Sequence, residues 1–269
     1  MSTNQQFLKK KFSFGIACCR YNLATKKPEI LMMKKRYTYA FFEFVFAKYK
    51  KNDYRRLSKL FNQMSYQEKI DILSLDFNKL WCRIRLKIPP AYIYSRNDRT
   101  DYSDVKNEWK TYMFKKRKFD ANFILNDKGK KLRKLINGTS SLDSIWEIPK
   151  GRSDQGEKPL NTAIREFKEE TDISIKKYKL LLNIAPVNER YIANKVRYDH
   201  TYFIAIAKKF NWEPKINFKS YEQIVEVENL KWINPEEVKY LNVNQLSYNR
   251  IQTLYTAVIK LFRKHCDSS

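Results

Sequence analysis

The order of apolar and polar positions divides the chain into a strand-rich part, a helical part and a second strand-rich part. Residues 12–19 (FSFGIACC) and 29–34 (EILMMK) are apolar, β-prone runs separated by the turn-prone stretch from Asn22 to Pro28, which predicts a hairpin. From about Tyr39 to Gly138 the pattern turns helical, with FFEFVFAKYK, YRRLSKLFNQM and SYQEKIDILSL as successive segments. Ser65 followed three residues later by Glu68 predicts a capping box at a helix start. Pro89 and Pro90 break the run, SRNDRTDYSD reads as an exposed loop, and further helices are predicted at about 104–119 and 127–137, the second ending at Gly138.

After Ser144 the period shortens again. SIWEIP predicts a strand stopped by Pro149, with Gly151 at a turn, and residues 160–171 predict a helix opened by Pro159. Strands are expected at about 178–184, 200–207 and 224–233. A last helix is expected from Tyr248 to Lys264, with Ile251, Leu254, Tyr255, Val258, Leu261 and Phe262 as its apolar stripe. No internal repeat or low-complexity tract interrupts this order. The pattern gives an α+β class: one discontinuous domain from residues 1–38 and 139–269, and an all-helical insert over 39–138.

Charge changes the picture more than composition does. Of 269 residues 43% are hydrophobic, enough for a folded core, but 54 Lys and Arg face only 29 Asp and Glu, a net charge of +25. A field that large points to a polyanionic partner, nucleic acid before an anionic membrane surface. The helical stretch 39–138 carries 24 basic and 11 acidic residues. Its densest clusters are Lys115, Lys116, Arg117 and Lys118, then Lys130, Lys131, Arg133 and Lys134. A charge run is often just a solvated helix face. Here Trp109, Tyr112, Phe114 and Phe119 are interleaved with it, and cations beside aromatic rings suit RNA phosphates and bases. Cys18, Cys19, Cys82 and Cys266 form no ligand spacing, and two histidines argue against a zinc site. No apolar run has the length of a membrane span and no signal peptide is visible, so a cytosolic protein is expected.

One segment is acidic within this basic chain. Residues 151–173, GRSDQGEKPLNTAIREFKEETDI, carry a net charge of −2. On a helix Glu166, Glu169 and Glu170 fall at i, i+3 and i+4 and share one face. Three carboxylates this close repel one another, and a divalent cation is the natural compensation. Oxygen-only ligands select a hard ion, Mg2+ or Mn2+, which clamps a diphosphate and activates water. A merely solvated acidic helix would not need Gly151, Glu157 and Arg165 at fixed offsets from the carboxylates.

Those offsets resemble the Nudix box, Gly-x5-Glu-x7-Arg-Glu-U-x-Glu-Glu-x-Gly-U, with Phe167 and Ile173 at the apolar positions and Asp172 where the pattern has its last glycine. That glycine closes the helix in a left-handed conformation, which Asp tolerates better than most residues. The resemblance implies a Nudix α/β/α sandwich with a basic all-helical insert. It implies Glu166, Glu169, Glu170 and the Gly151 carbonyl as metal ligands, Arg165 as the residue holding the ligand carboxylates, and Glu157 as support for loop and helix. Glu170, Arg165 and a carboxylate outside the box make the catalytic set. Glu226 in the expected strand VEVENLKW is the candidate for the last, with Glu228 as the alternative.

The wider chain, through SLDFNKLW (74–81), WEIPKGR and RYDHTYFIA (197–205), resembles the mRNA-decapping Nudix enzymes of large DNA viruses, of African swine fever virus and poxvirus type. What this implies is hydrolysis of the 5′ cap in the cytoplasm of an infected host cell, with capped mRNA as partner and host shutoff as consequence. A methylated guanine is cationic and flat, so Tyr198, Phe46 and Tyr49 are expected as cap-stacking rings. Two other readings stay open: a hydrolase of diphosphoinositol polyphosphates or another small diphosphate, and an RNA-binding protein with an inactive Nudix fold.

Overall fold

In the computed structural model the described residues are 9–85, 102–193, 196–209, 211–243, 248, 251–256 and 259. They divide into two compact units, one from Met1–Lys35 with Ile145–Ser269 and one from Arg36–Ser144. The expected Pro89-Pro90 break, most of the expected loop at 95–104 and most of the expected last helix lie outside the described residues.

The first unit is built on a mixed sheet of eight strands among the described residues. Strand β1 (Lys9–Asn22) and strand β2 (Lys27–Lys35) form the expected hairpin, longer than predicted at both ends. Short strands β3 (Trp146–Glu147) and β4 (Lys150–Gly151) pair antiparallel with β2 and β1. Strand β5 (Tyr178–Leu180), β6 (Val187–Ala193), β7 (Val196–Ala207) and β8 (Val227–Ile233) complete it. The pair β1–β7 is parallel and runs over eleven residue pairs, from Lys9↔Val196 to Cys19↔Ile206. The order is β3-β2-β1-β7-β5, with β4 on β1, β6 on β7 and β8 on β2.

Both faces of the sheet are covered, which is why β1 reads as a nearly unbroken apolar run. On one face Ile16, Cys18 and Leu31 pack against Ala163 and Phe167 of helix α7 (Pro159–Thr171). On the other, Ala17, Cys19, Ile30 and Met32 meet Ile251, Leu254 and Tyr255 from the helical residues 251–256. Gly15 fits at the β1–β4 crossing because an added Cβ would lie 2.2 Å from the Pro149 carbonyl oxygen.

The strand expected at 178–184 is confined to Tyr178–Leu180, and Gly151, expected at a turn, lies in β4; two further departures have identifiable reasons. Strand β6 was not expected, because Asn188, Glu189 and Arg190 interrupt its apolar alternation; it forms as the hairpin partner of β7. The strand expected at 224–233 begins only at Val227. Residues Tyr221–Glu226 form helix α8 instead, capped by the Ser220 hydroxyl accepting the Gln223 N–H and anchored by the buried Gln223 side chain.

The second unit contains helices α1 (Tyr39–Val45), α2 (Tyr54–Asn62), α3 (Tyr66–Ser74), α4 (Phe77–Ile84), α5 (Tyr102–Phe119) and α6 (Lys130–Asn137). The capping box at Ser65 and Glu68 is present, and Glu68 also accepts the Thr38 N–H and hydroxyl, tying α3 to the start of α1. A π-turn over Asp120–Ile124 follows α5. The core is aromatic: Phe44, Phe61, Phe77, Trp81, Phe119 and Phe123 are each at most 3% exposed. Among the described residues no helix is long and apolar enough to cross a membrane.

Candidate active site

Helix α7 presents two chemically opposite faces. Thr162, Ala163 and Phe167 are buried, with the Phe167 ring edge-on to Tyr178 at 5.1 Å, and this packing fixes the rotation of the helix. The other face carries Glu166 and Glu169. Pro159 opens the helix, and Asp172 ends it at φ 55°, ψ 24°, the left-handed conformation expected of that position. Asn217 donates to the Asp172 carboxylate at 2.9 Å, so the Asp standing for glycine gains a partner.

Arg165 is the hub. Its guanidinium donates to Glu157 at 3.0 and 2.9 Å, to Glu166 at 2.9 Å, to Glu169 at 3.0 Å and to the Arg152 carbonyl at 2.9 Å. The planar fork therefore ties the loop after β4 to two of the three helix carboxylates. These bonds, Arg165 foremost, hold the Glu157 carboxyl down to about 2. Glu157 also accepts from the Thr162 hydroxyl and the Asp154 N–H, so it braces the loop from both sides. Gly151 lies in direct contact with Glu166: a Cβ there would fall 1.9 Å from its carboxyl carbon. No other residue allows this approach of backbone to carboxylate.

Glu170 sits deeper, 3% exposed, and accepts the Lys150 N–H at 2.8 Å. Burial pushes its carboxyl well above the usual range; Lys35 opposes the shift, and Glu226 and Glu147 reinforce it. Glu166 is raised for the same first reason, with Arg165 opposing and Glu169 and Glu226 adding. Burial would also raise Glu147, but Lys150 at 2.6 Å and Lys35 at 3.3 Å outweigh it and hold it at about 2. Carboxylates and lysines thus alternate around the end of α7.

Glu226 reaches this cluster from the last turn of α8, not from a strand. It is exposed, stands 3.8 Å from Lys35, and acts electrostatically on both Glu166 and Glu170. Glu228, the alternative, is on β8 and pairs with Lys34 at 3.0 Å. Among the described residues no three acidic, histidine or cysteine side chains are placed to hold a metal ion together. The donors available are nonetheless all oxygens: Glu166, Glu169, Glu170, Glu226 and the Gly151 carbonyl. The buried Glu170, repelled by two further carboxylates, fits a hard divalent cation as the missing counter-charge.

The expected rings fare differently. Tyr198 is half-buried on β7 and stacks on Tyr191 at 5.0 Å and 13°, with the Lys11 ammonium 5.3 Å from its centroid. His200 follows on the same face of β7, 6% exposed, with its Nε2 3.3 Å from the Tyr191 hydroxyl. Tyr49 is a correction: it is 5% exposed, packed on Phe44 and Phe123, and no base can reach it. Phe46 is half-buried, edge-on to Trp81, with Arg85 and Lys48 within 5.5 and 5.8 Å of its ring.

The basic clusters also divide. Lys118 donates to the carbonyls of Ala47 and Tyr49, so it holds a loop of its own unit and is not a free phosphate contact. Lys116 pairs with Asp120 at 2.5 Å and Lys131 lies over Tyr54 at 4.3 Å. Arg117, Lys130, Arg133 and Lys134 are exposed, and Lys115 is half-buried against Phe114.

Four residues of the site were not anticipated. Lys35, Glu147 and Lys150 form the buried charge cluster, and Gln223 donates to the Glu170 carbonyl oxygen at 3.1 Å. The Glu147–Lys150 spacing in WEIPKG was a visible signal; the pairing with Lys35 depends on the β2–β3 register and was not.

The chain is similar to known proteins of one family. A family model described as NUDIX domain matches residues 100–254. The chain is 34% identical over 241 residues to the "mRNA-decapping protein g5R" of African swine fever virus (isolate Pig/Kenya/KEN-50/1950), covering 87% of this chain and 89% of that protein. It is 28% identical over 223 residues to a "Putative mRNA-decapping protein" of Acanthamoeba polyphaga mimivirus, covering 77% of this chain and 58% of that protein. Among solved structures, a C. elegans Ap4A hydrolase binary complex aligns over 93% of this chain and 98% of that one, at 13% identity and a TM-score of 0.45.

Proposed function

The chain belongs to the NUDIX family, and from that premise we propose that it is a viral mRNA-decapping hydrolase, releasing methylated guanosine diphosphate and leaving 5′-monophosphate RNA. The observation that carries this reading is the intact face of Glu166, Glu169 and Glu170, in a chain similar along most of its length to a decapping protein. A degenerate fold kept only for RNA binding would have no reason to retain a carboxylate as costly as the buried Glu170.

In this reading Glu166, Glu169, Glu170 and the Gly151 carbonyl hold Mg2+ or Mn2+. Such an ion, when bound, supplies charge neutralisation at the phosphates and a lowered pKa for water. Arg165 keeps Glu166 and Glu169 in register with the loop, and Glu157 keeps Arg165 in place. Glu226, exposed and acting electrostatically on Glu166 and Glu170, takes the proton from the attacking water. Lys35 and Lys150, both paired with Glu147, offset the negative charge of the carboxylate cluster. The cap base, flat and cationic, stacks on Tyr198 in this reading by displacing the Lys11 ammonium, a like charge that stands over that ring.

The helical unit is the RNA-binding insert of this reading, with Lys115, Lys116, Arg117, Lys130, Lys131, Arg133 and Lys134 on the phosphates. The place of action is the cytoplasm of the infected cell, and the consequence is host shutoff. Release of product from cap-labelled RNA, beside free cap analogue and diphosphoinositol polyphosphates, tests the proposal. Capped RNA should be turned over fastest. Turnover of the small polyphosphates alone would leave a small-molecule hydrolase, and no turnover at all an inactive RNA-binding fold.

A further inference from the structure

Strand β1 extends beyond the part of the sheet that α7 covers. Phe14 packs against the core beneath α7. The unbroken β1–β7 register places Phe12, two residues earlier, on the same face of the sheet. There the ring is 52% exposed. The face continues across β7 and β6. Phe12 stands in one row with Asp199 and Arg190, and Lys10 in the next row with Arg197 and Ile192. Ile192 is 59% exposed. Three strands make this platform about 10 Å across.

A single surface ring needs no explanation. This one is bracketed by cations that are fixed in place. The Asp199 carboxylate accepts from Arg190 at 2.5 Å and from Arg197 at 2.8 and 3.1 Å. While so held, the Arg190 side chain stays 65% exposed and that of Arg197 27%. Lys10 is exposed as well. Three cations against one carboxylate leave the face positive.

The platform adjoins the carboxylates of α7. Phe14 pairs with Gly151, which lies against the Glu166 carboxyl, and Phe12 is one pleat further, about 7 Å along β1. An apolar protein partner seated on Phe12 and Ile192 would bury the cations without a counter-charge, which is costly. A single strand of RNA suits both features, stacking a base on the ring and setting phosphates at the cations, as nucleic acids do on sheets with exposed aromatic residues. We propose that this face carries the first nucleotides of the RNA after the cap, one base on Phe12 and the phosphates at Lys10, Arg190 and Arg197. The inference rests on the proposed decapping activity and adds where the RNA body leaves the site. Tyr198, of opposite parity on β7, is on the other face of the sheet, so cap base and RNA body leave the carboxylates on opposite sides of it.

The test uses the full chain in chelator, where no cap is cleaved, and capped single-stranded RNA with 2-aminopurine at the first nucleotide or near the 3′ end. Binding should quench the fluorophore at the first nucleotide, since stacking on a ring quenches it. Phe12→Leu keeps an apolar side chain but no ring; it should remove that quenching and weaken binding about ten-fold, within the range of one stacked base. Phe12→Trp should retain both. The salt slope should not change in either variant, whereas Arg190→Gln should reduce it by about 0.7. Melting curves show whether the variants fold, and quenching in the unaltered protein is read independently of them. Binding without quenching at the first nucleotide overturns this inference and leaves the decapping reading standing. The same holds if Phe12→Leu binds like wild type, or if the Phe12-dependent quenching occurs only near the 3′ end. Absence of binding to capped RNA, with no product released when metal is added, overturns both.

Discussion

Glu170→Gln separates the stability of the fold from the needs of the site. Glu170 is 3% exposed, and burial beside Glu147 and Glu226 disfavours its charged form. The amide has the same volume and can still accept the Lys150 N–H, so only the charge is removed. Without metal the change should stabilise the protein, because a poorly compensated buried charge costs about 1–3 kcal/mol. For a chain of this size that corresponds to a rise of about 2–10 °C in Tm.

With Mg2+ or Mn2+ the ranking should invert. A ligand at a hundred times its Kd stabilises the native state by about 2.7 kcal/mol, and the variant, lacking a charged ligand, gains less. Turnover should fall by about 10²–10³, the equivalent of roughly 3–4 kcal/mol of lost transition-state stabilisation. Melting curves in chelator and in saturating metal, with turnover on capped RNA, read all three effects. A variant that melts below wild type in chelator, or that keeps near wild-type turnover in metal, refutes the placement of Glu170 as a ligand.

Arg165→Lys keeps the charge but cannot serve Glu157, Glu166, Glu169 and the Arg152 carbonyl at once; steady-state kinetics should show a loss of about 10–100-fold with the fold intact. His200 is held neutral, at about 4, first by burial and then by Lys150. Its contribution is complete above the ordinary 6.5 and is lost as pH falls towards 4, so His200→Gln should flatten the acid side of the stability curve over that window by up to ~3 kcal/mol. Reversing Lys115 and Arg117 to Glu should weaken RNA binding and reduce the salt slope by about 0.7 per lost phosphate contact. Lys118→Met should lower Tm instead, because it strips two backbone carbonyls of their donor.

How much of this was legible in the sequence depends on distance along the chain. Within residues 151–173 the carboxylate face could be read from spacing, while the role of Arg165 and the left-handed end at Asp172 were implied by the resemblance to the Nudix box. Helical periodicity converts spacing into geometry there with no tertiary information. The capping box at Ser65 was legible for the same reason. The parts that escaped come from remote elements. Lys35 meets Glu147 because β2 pairs β3, a register no local pattern fixes. Glu226 meets the box because Gln223, buried and bonded to the Glu170 carbonyl, turns β-prone residues into a helix.

The basic clusters show the opposite limit. Composition marked Lys115 to Lys118 as one patch, yet these adjacent lysines point different ways around α5 and meet different neighbours. Lys118 satisfies backbone carbonyls, Lys116 pairs with Asp120, and Arg117 is exposed. Net charge therefore identifies the class of partner, whereas the helical rotation of each residue determines which charges remain for that partner to meet.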